Sequence, residues 1–320
     1  MSNPSVNQLQ KQTYHSDDEI DIRDLLATLW GRKWVVILFS IVFTAAGIFY
    51  AVSKPNIYEA SVLLAPAQDE GSAGRISGQL GGLASLAGIN MGGVGANQTI
   101  MAKEVLLSRV FLTSFIHRHS LVVPLMAAEA WDIEGKRWII DTTIYNPKEE
   151  KWLVDDEGES LEPTDWDIVK TFKEHISISS NDETNMVTVK MKSQSPTAAK
   201  EWVKKLIDDI NEHMRSRDVQ EAEARIAYLE GKLRETNIAG MQQVFYQLIE
   251  NETRTVMLAN AQSEYVFKTI DPAVVPQEKS DPKRVLIAVA AMILGGMLGI
   301  FVVFLGTSIR TQKTVALEKE

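Results

Sequence analysis

The sequence predicts an α+β membrane protein in which two transmembrane helices flank one domain built from an α/β base and a long helical rod. Three observations predict this fold. Two uncharged apolar runs stand near opposite ends of the chain. Segments rich in β-forming residues lie close to both runs, and a long stretch with helical periodicity occupies the later part of the region between them.

The first apolar run covers residues 34–52 and carries no charged side chain. About 20 helical residues cross the hydrocarbon core of a bilayer. Trp30 and Trp34 before the run, and Tyr50 near its end, suit the aromatic belt of a membrane interface. A signal peptide is the alternative, but the run starts far from the N-terminus and no small-residue cleavage site follows it. We therefore predict a transmembrane helix here, preceded by a tail of residues 1–33.

The second apolar run covers residues 285–305 and is also uncharged. A buried core helix is the alternative, although uninterrupted runs of this length are rare in soluble proteins. Within it, Ala291, Gly295 and Gly299 are small residues at four-residue spacing, which lets helix backbones approach closely. We expect this face to pack on the first helix or on a neighbouring subunit; docking of a different membrane protein is the alternative. Residues 306–320 form the C-terminal tail.

The charges around the first run predict the orientation of the chain. Arg32 and Lys33 precede the run, whereas Lys54 is the one basic residue close behind it. Basic residues favour the cytoplasmic side, so both termini are predicted to be cytoplasmic and residues 53–284 extracytoplasmic. This middle region holds 26 basic and 35 acidic residues, which accounts for the whole net charge of -9. Such an acidic chain is not expected to bind nucleic acid.

The first part of the middle region predicts the α/β base. Residues 57–65 favour a strand, and residues 175–191 alternate around a turn as a hairpin does. Residues 69–99 hold nine of the nineteen glycines and are predicted to be a loop, because no phosphate-binding motif accompanies the glycines. Residues 265–270 are predicted to return as a strand before a proline-rich approach, residues 271–282, to the second run.

The later part of the middle region, residues 196–262, predicts the helical rod. Ser195 suits an N-cap and Pro196 the first helical position, and apolar residues then recur every three or four positions. About 60 helical residues would make a rod on the order of 90 Å. Gly240 is a plausible hinge.

The apolar stripe of this rod is longer than one domain of this size can cover. Part of it should therefore pack against other helices, and oligomerisation is the simplest explanation. Ile226, Leu229 and Leu233 are the residues that we expect at this oligomer contact.

No residue pattern in the chain indicates catalysis, a metal site or a cofactor. His117 and His119 lack the four-residue spacing of helical metal ligands, so surface positions are the simpler interpretation. A carboxylate pair for glycoside hydrolysis stays open, since acidic residues are abundant and nothing distinguishes one of them. Four tryptophans could stack on sugar rings, although packing in a core is the commoner use. They are Trp131, Trp138, Trp152 and Trp166.

The order of these segments resembles that of the Wzz-type polysaccharide co-polymerases, the chain-length determinants of bacterial surface polysaccharides. The resemblance rests on the N-terminal segment 20–26 with Trp30, Lys33-Trp34 and Tyr58-Glu59-Ala60, on the helical region after Ser195-Pro196, and on the proline-rich approach. The glycine-rich residues 69–99 match least well.

The resemblance implies a function and a location. The chain would form a ring-shaped homo-oligomer in the bacterial inner membrane, with its central domain in the periplasm. It would act beside a Wzy-type polymerase and the growing polysaccharide, and set the chain length of lipopolysaccharide O-antigen or another surface glycan. The glycine-rich loop could face the ring lumen and touch the glycan. The family has no agreed catalytic residues, so we expect a scaffold and not an enzyme.

Three other classes of protein fit the sequence less well. A periplasmic receptor needs a cytoplasmic output module, for which the tails are short. An export adaptor usually has one span and a long coiled-coil hairpin. Related tyrosine autokinases add a cytoplasmic nucleotide-binding domain, for which the roughly fifteen residues after Leu305 leave no room. The sequence therefore favours the length-regulating scaffold.

Overall fold

The computed structural model of the protein describes residues 29–67 and 94–317, with side chains described at 29–67 and 98–306. The N-terminal segment 20–26 and most of the glycine-rich residues 69–99 lie outside the described residues. The chain divides into two compact units, one of residues 1–54 with 283–320 and the other of residues 55–282.

The first unit is a pair of apolar helices. Helix α1 covers Lys33–Ser53, and helix α8 covers Arg284–Leu317. Both contain a segment long and apolar enough to cross a bilayer, namely Lys33–Ser53 and Arg284–Gly306. The two helices pack along each other within this unit.

The second unit is built on an antiparallel sheet with the strand order β6-β7-β1-β8. Val62 and Leu64 of β1, with Val187, Val189 and Met191 of β7, form its buried face. The strands are β1 (Tyr58–Pro66), β6 (Ile176–Ser180), β7 (Val187–Ser193) and β8 (Phe267–Asp271). Strand β1 pairs with β7 over seven residue pairs, from Tyr58 opposite Ser193 to Leu64 opposite Val187.

Among the described residues between β1 and β6, there are four helices and two small hairpins. Two of the helices have side-chain caps: Ser108 accepts from Phe111 N–H, and Thr164 forms a reciprocal capping box with Asp167. The helices are α2 (Val94–Leu106), α3 (Arg109–Arg118), α4 (Val122–Met126) and α5 (Asp165–His175). The hairpin strands are β2 (Ala128–Asp132), β3 (Arg137–Ile140), β4 (Tyr145–Asn146) and β5 (Lys151–Trp152).

The predicted rod is a helical hairpin. Helix α6 (Pro196–Glu235) begins at Ser195, whose Oγ accepts from Ala198 N–H at 3.2 Å, and helix α7 covers Ala239–Ala261. The two run antiparallel, since Arg225 Nη2 lies 3.0 Å from Glu252 Oε2. The expected length of about 90 Å is therefore wrong: 40 residues of α6 make a rod of about 60 Å.

The reversal occurs at residues 236–238, where Thr236 and Ile238 have extended backbone. Both are β-branched residues, which fit a helix less well than unbranched ones, and Asn237 between them is also a weak helix former. The sequence prediction placed the break at Gly240, which lies inside the first turn of α7.

The core of the second unit lies where the N-terminal half of α6 crosses the sheet. Val203, Leu206, Ile210 and Met214 of α6 are fully buried among residues of β1 and β7. The predicted fold class is confirmed: two apolar helices near the ends of the chain, a mixed α/β base and a long helical element.

Candidate assembly interface

The outer half of the α6/α7 hairpin is held together by a narrow stripe on each helix. Ala222 of α6 and Ala259 of α7 are fully buried, and Arg225 forms an ion pair with Glu252 between them. Ile226, Leu229 and Leu233, the predicted oligomer contact, continue the Ala222 stripe and are half-buried. Much of the apolar stripe for which a second subunit was expected therefore lies on α6, and α6 is paired with α7 of the same chain.

Helix α7 carries a second apolar stripe that the chain itself leaves exposed. Met241, Val244, Leu248 and Leu258 are 47%, 51%, 43% and 55% exposed. With Asn251 and Thr255 they repeat at alternating steps of three and four, the spacing of a coiled-coil seam. The half-buried stripe of α7 follows a neighbouring line through Phe245, Ile249, Glu252 and Val256.

Sequence reasoning merged these two stripes into one. The prediction of one apolar stripe over residues 196–262 does not separate Met241 and Leu248, which the structure leaves exposed, from Phe245 and Ile249, which it half-buries. The signal that separates them is the number of apolar positions: a single seam uses two in seven, and residues 241–259 hold clearly more. We therefore identify the exposed stripe of α7 as the main candidate surface for assembly.

The hairpin foot, residues 211–218 of α6 with Tyr265–Phe267, joins the hairpin to the sheet. Asn211 is 4% exposed, and its Oδ1 accepts from the N–H groups of Val266 and Phe267 at 2.9 Å each. Its Nδ2 donates to Phe267 O at 3.0 Å. Glu264 Oε1 accepts from Thr269 N–H at 2.9 Å. Because β8 pairs with β1 along its other side, these two side chains cap its outer edge.

A polar cluster lies beside Asn211 in the hairpin foot. Asp218 Oδ2 accepts from Tyr265 OH at 2.9 Å and from Gln98 Nε2 at 2.8 Å. Burial of the phenol raises the pKa of Tyr265 to about 12, and its hydrogen bond to Asp218 acts in the same direction. Tyr265 therefore stays protonated and donates its hydrogen bond across the physiological pH range.

The two chain ends of the second unit are clamped together. Ile57 N–H donates to Asp281 O at 2.9 Å, and Ser280 N–H donates to Ile57 O at 2.8 Å. Lys192 Nζ donates to Asp281 Oδ2 at 2.7 Å, and this hydrogen bond raises the pKa of Lys192. The residues that follow α1 and those that precede α8 therefore leave the domain side by side.

The predicted small-residue face of α8 lies against α1. A Cβ on Gly295 would stand 2.8 Å from Phe39 O and from Phe43 Cβ, and one on Gly299 would stand 2.8 Å from Val36 Cα. Ala291 Cβ would be 2.6 Å from a Cβ on Gly47 of α1. Larger side chains at these positions cannot be accommodated without separating the helices.

The tryptophans singled out in the sequence divide between packing and exposure. Trp138 stacks on the buried Trp202 with ring centroids 6.1 Å apart, and Trp131 contacts Trp138 edge-on at 4.9 Å. Trp152 contacts Tyr145 edge-on at 5.1 Å, whereas Trp166 is 67% exposed. Three of the four therefore contribute to packing.

His117 and His119 each lie within hydrogen-bonding distance of an aspartate of the same domain. His117 Nε2 lies 2.9 Å from Asp165 Oδ1, and His119 Nε2 lies 3.1 Å from Asp209 Oδ2. Among the residues that the structure describes, no group of three or more histidine, aspartate or glutamate side chains could hold a metal ion. The polar clusters described above join parts of the fold to one another.

Two family profiles match the chain. One, described as the Wzz chain length determinant protein, matches residues 18–119. The other, described as a G-rich domain on putative tyrosine kinase, matches residues 234–308. The first match includes α1 and β1, and the second includes α7, β8 and the apolar part of α8. No curated protein matches the chain.

Two solved structures of polysaccharide co-polymerases match the chain at low identity and low TM-score. A full-length bacterial polysaccharide co-polymerase is 15% identical, with a TM-score of 0.36, and the match covers 91% of this chain and 99% of that one. A fragment of WzzB, the polysaccharide co-polymerase from Salmonella Typhimurium, is 11% identical, with a TM-score of 0.29, over 71% and 100% of the two chains.

Proposed function

We propose that the chain belongs to the Wzz-type family of chain length determinant proteins and that it sets the length of a bacterial surface polysaccharide, lipopolysaccharide O-antigen in the first instance. It does so as an oligomeric scaffold in the periplasm, acting beside a Wzy-type polymerase. The observation that carries the proposal is the pair of family matches at residues 18–119 and 234–308, which include both apolar helices and the strands β1 and β8.

The apolar helices support the membrane part of the proposal. Family members are inner-membrane proteins with two terminal helices, and α1 and α8 have the length and composition of such helices. Arg32 and Lys33 before α1 favour cytoplasmic termini and a periplasmic central domain. The clamp between Ile57 and Asp281 supports this topology, because it brings together the two points at which the domain meets its helices.

The exposed stripe of α7 supports the oligomeric part. A monomer that exposes Met241, Val244, Leu248 and Leu258 along one helix leaves these apolar side chains in water, with Asn251 and Thr255 between the last two. In our proposal a helix of the neighbouring copy covers this stripe, and repetition of that contact around an axis closes a ring. The ring then gathers polymerase subunits around the growing polysaccharide. The proposed role is structural, and no catalytic residue or cofactor is assigned.

The first test is genetic. Deletion of the gene should abolish the modal length distribution of the lipopolysaccharide on a gel, and the wild-type gene should restore it. The Leu248→Asp variant should insert in the membrane but fail to restore the distribution. An unchanged ladder after deletion, with the other surface glycans also unchanged, would overturn the proposal.

The second test concerns topology and uses the absence of cysteine from the chain. Cysteines are introduced singly at Glu223 on α6 and at Ser16 in the N-terminal tail. A membrane-impermeant maleimide should label Glu223→Cys in cells with a permeabilised outer membrane, and Ser16→Cys only after lysis. The reverse pattern would contradict the proposed orientation.

A further inference from the structure

The described residues on either side of residues 68–93 contact the same part of the domain. Before residues 68–93, Ala67 N–H donates to Val266 O at 2.9 Å. After them, Gln98 of α2 donates from Nε2 to Asp218 Oδ2 at 2.8 Å. Tyr265, the neighbour of Val266, donates to the same carboxylate oxygen at 2.9 Å. Ala67, which precedes residues 68–93, therefore contacts Val266, and Gln98, which follows them, shares its acceptor with Tyr265.

Residues 265–266 are also the joint between the helical hairpin and the sheet. They follow the end of α7 at Ala261 and precede β8, which begins at Phe267. Asn211 of α6 holds the backbone of Val266 from the other side, through a hydrogen bond of 2.9 Å. Residues 262–264 connect the end of α7 to Tyr265, so a shift of α7 along α6 acts on the hydrogen bond between Tyr265 and Asp218.

Helix α2 is tied to α6 at the same level by further contacts. Arg217 Nη2 lies 3.0 Å from Met101 Sδ, while Arg217 Nε lies 3.2 Å from Glu221 Oε1. Thr99 and Ala102 of α2 are buried. Tyr265 itself is 5% exposed and Asp218 is half-buried, and a hydrogen bond to a carboxylate is stronger than one between neutral groups.

We propose that Asp218 is a positioning residue that couples the helical hairpin to α2 through Tyr265 and Gln98. The packing of α7 on α6 then determines the position of α2, which holds the first described residues after residues 68–93. The inference rests on the proposed function only for the cause of the movement, which is contact between neighbouring subunits on α7. The coupling itself is a property of a single chain.

The test compares hydrogen exchange in the full-length protein and two variants in detergent. Tyr265→Phe removes one hydroxyl group, and Gln98→Leu removes the tie from the α2 side. Both should speed exchange of the backbone amides over residues 98–106 by about tenfold, since one buried hydrogen bond to a charged group is lost. Amides of β7 should exchange as in the wild type. Tyr246→Phe, at an exposed tyrosine of α7, is the matched control.

A distance measurement separates coupling from general loosening of the fold. Nitroxide labels are placed on cysteines at Glu104 of α2 and Glu223 of α6, and labelled chains are diluted with unlabelled ones. The distance distribution should broaden in both Tyr265→Phe and Gln98→Leu and stay narrow in Tyr246→Phe. If Tyr265→Phe leaves both the α2 exchange rates and the label distance unchanged, the coupling is absent. These readouts do not depend on whether the chain assembles or alters a polysaccharide.

Discussion

The side-chain amide of Asn211 and the backbone of Phe267 form a two-way hydrogen-bonded pair. Oδ1 accepts from Phe267 N–H at 2.9 Å, and Nδ2 donates to Phe267 O at 3.0 Å. The same Oδ1 accepts from Val266 N–H, so one side chain satisfies three main-chain groups where β8 begins. Asn211 lies on the α6 stripe that otherwise forms the apolar core, and its amide is what binds the hairpin to the sheet.

Replacement of Asn211 by alanine should therefore destabilise the domain strongly. Two N–H groups and one carbonyl would lose their partner in a buried place, which costs about 2–4 kcal/mol in total. Urea unfolding of the full chain in detergent, followed through tryptophan fluorescence, measures the change. Asn260→Ala, at an exposed position of α7 outside its exposed stripe, should change the free energy of unfolding by less than about 0.5 kcal/mol. Equal stability of the two variants would contradict the role of Asn211.

Substitutions on the two stripes of the hairpin should have different effects. Val244→Asp and Leu248→Asp place a charge on the exposed stripe of α7, so they should dissociate the oligomer while the folded chain keeps its stability. Each apolar side chain buried in such a contact contributes about 1–2 kcal/mol, and the loss is repeated at every subunit boundary. Light scattering of the detergent-solubilised protein measures the mass.

The contact hypothesis for Ile226, Leu229 and Leu233 stays a prediction, and the same experiment tests it. If these residues contact a neighbour, Leu229→Asp and Leu233→Asp should break the assembly and leave the inserted monomer stable. If these residues pack on α7 of the same chain, the variants should also lower the stability of the hairpin. Gln243→Asp, at an exposed polar position of α7, is the control. Intact oligomers in every aspartate variant would exclude both stripes as contacts.

Larger side chains at the small-residue face of α8 should separate the two apolar helices. Gly295→Val and Gly299→Val place carbon atoms within 3 Å of the α1 backbone, so the helices must move apart. We expect a lower melting temperature of the detergent-solubilised protein and faster hydrogen exchange in α1. Met297→Val, at a position of α8 exposed on the monomer, should behave as the wild type. Unchanged exchange in α1 would show that this pairing is dispensable.

The raised pKa of Tyr265 makes a prediction for alkaline conditions. The folded chain holds this proton up to about pH 12, whereas an unfolded tyrosine releases it near its ordinary pKa of 10.0. The stabilising effect is thus complete below pH 10 and is lost as the pH rises from 10 to about 12. The difference in urea midpoint between wild type and Tyr265→Phe should shrink over this window. A constant difference from pH 9 to pH 11.5 would contradict the assignment, with Tyr228→Phe as the control.

The glycine-rich segment should be dispensable for folding. Its points of departure and return are fixed by Val266 and Asp218, and closing a shorter loop costs less entropy. Replacing residues 71–93 with about ten glycine and serine residues, which can span roughly 33 Å, should leave the melting temperature within about 2 °C of the wild type. A polysaccharide of unchanged length in cells with this variant would end the hypothesis that the loop touches the glycan.

Much of the fold could be predicted because it depends on local patterns. The apolar helices follow from composition alone, and Ser195 with Pro196 correctly marks the start of α6. The break predicted at Gly240 lies a few residues beyond the observed one at residues 236–238, where the β-branched residues Thr236 and Ile238 flank the two helices, and the sequence did not predict that the chain reverses there. Whether a helix continues or reverses there depends on how α7 packs on α6, which is a tertiary property.

The candidate site was harder to predict than the fold. The stripe of α6 is visible in the sequence, but a stripe does not say whether the same chain or another one covers it. Asn211 is a polar residue within an apolar pattern, and its partners at the start of β8 lie more than fifty residues away along the chain, where local periodicity gives no sign of them. The link between Gln98, Asp218 and Tyr265 joins three distant parts of the chain, and no periodicity marks any of them.

The capped outer edge of β8 limits how copies of this chain can join. A bare strand edge is a template on which identical chains can stack without end, as they do in amyloid fibres. Here Asn211 and Glu264 occupy the outward N–H groups of Phe267 and Thr269, so a second sheet finds no free donors at these positions. Pairing of copies through the β8 edge is therefore disfavoured, whereas contacts between helices can close on themselves at a finite number of copies. The cap thus favours a particle of defined size over an open-ended polymer.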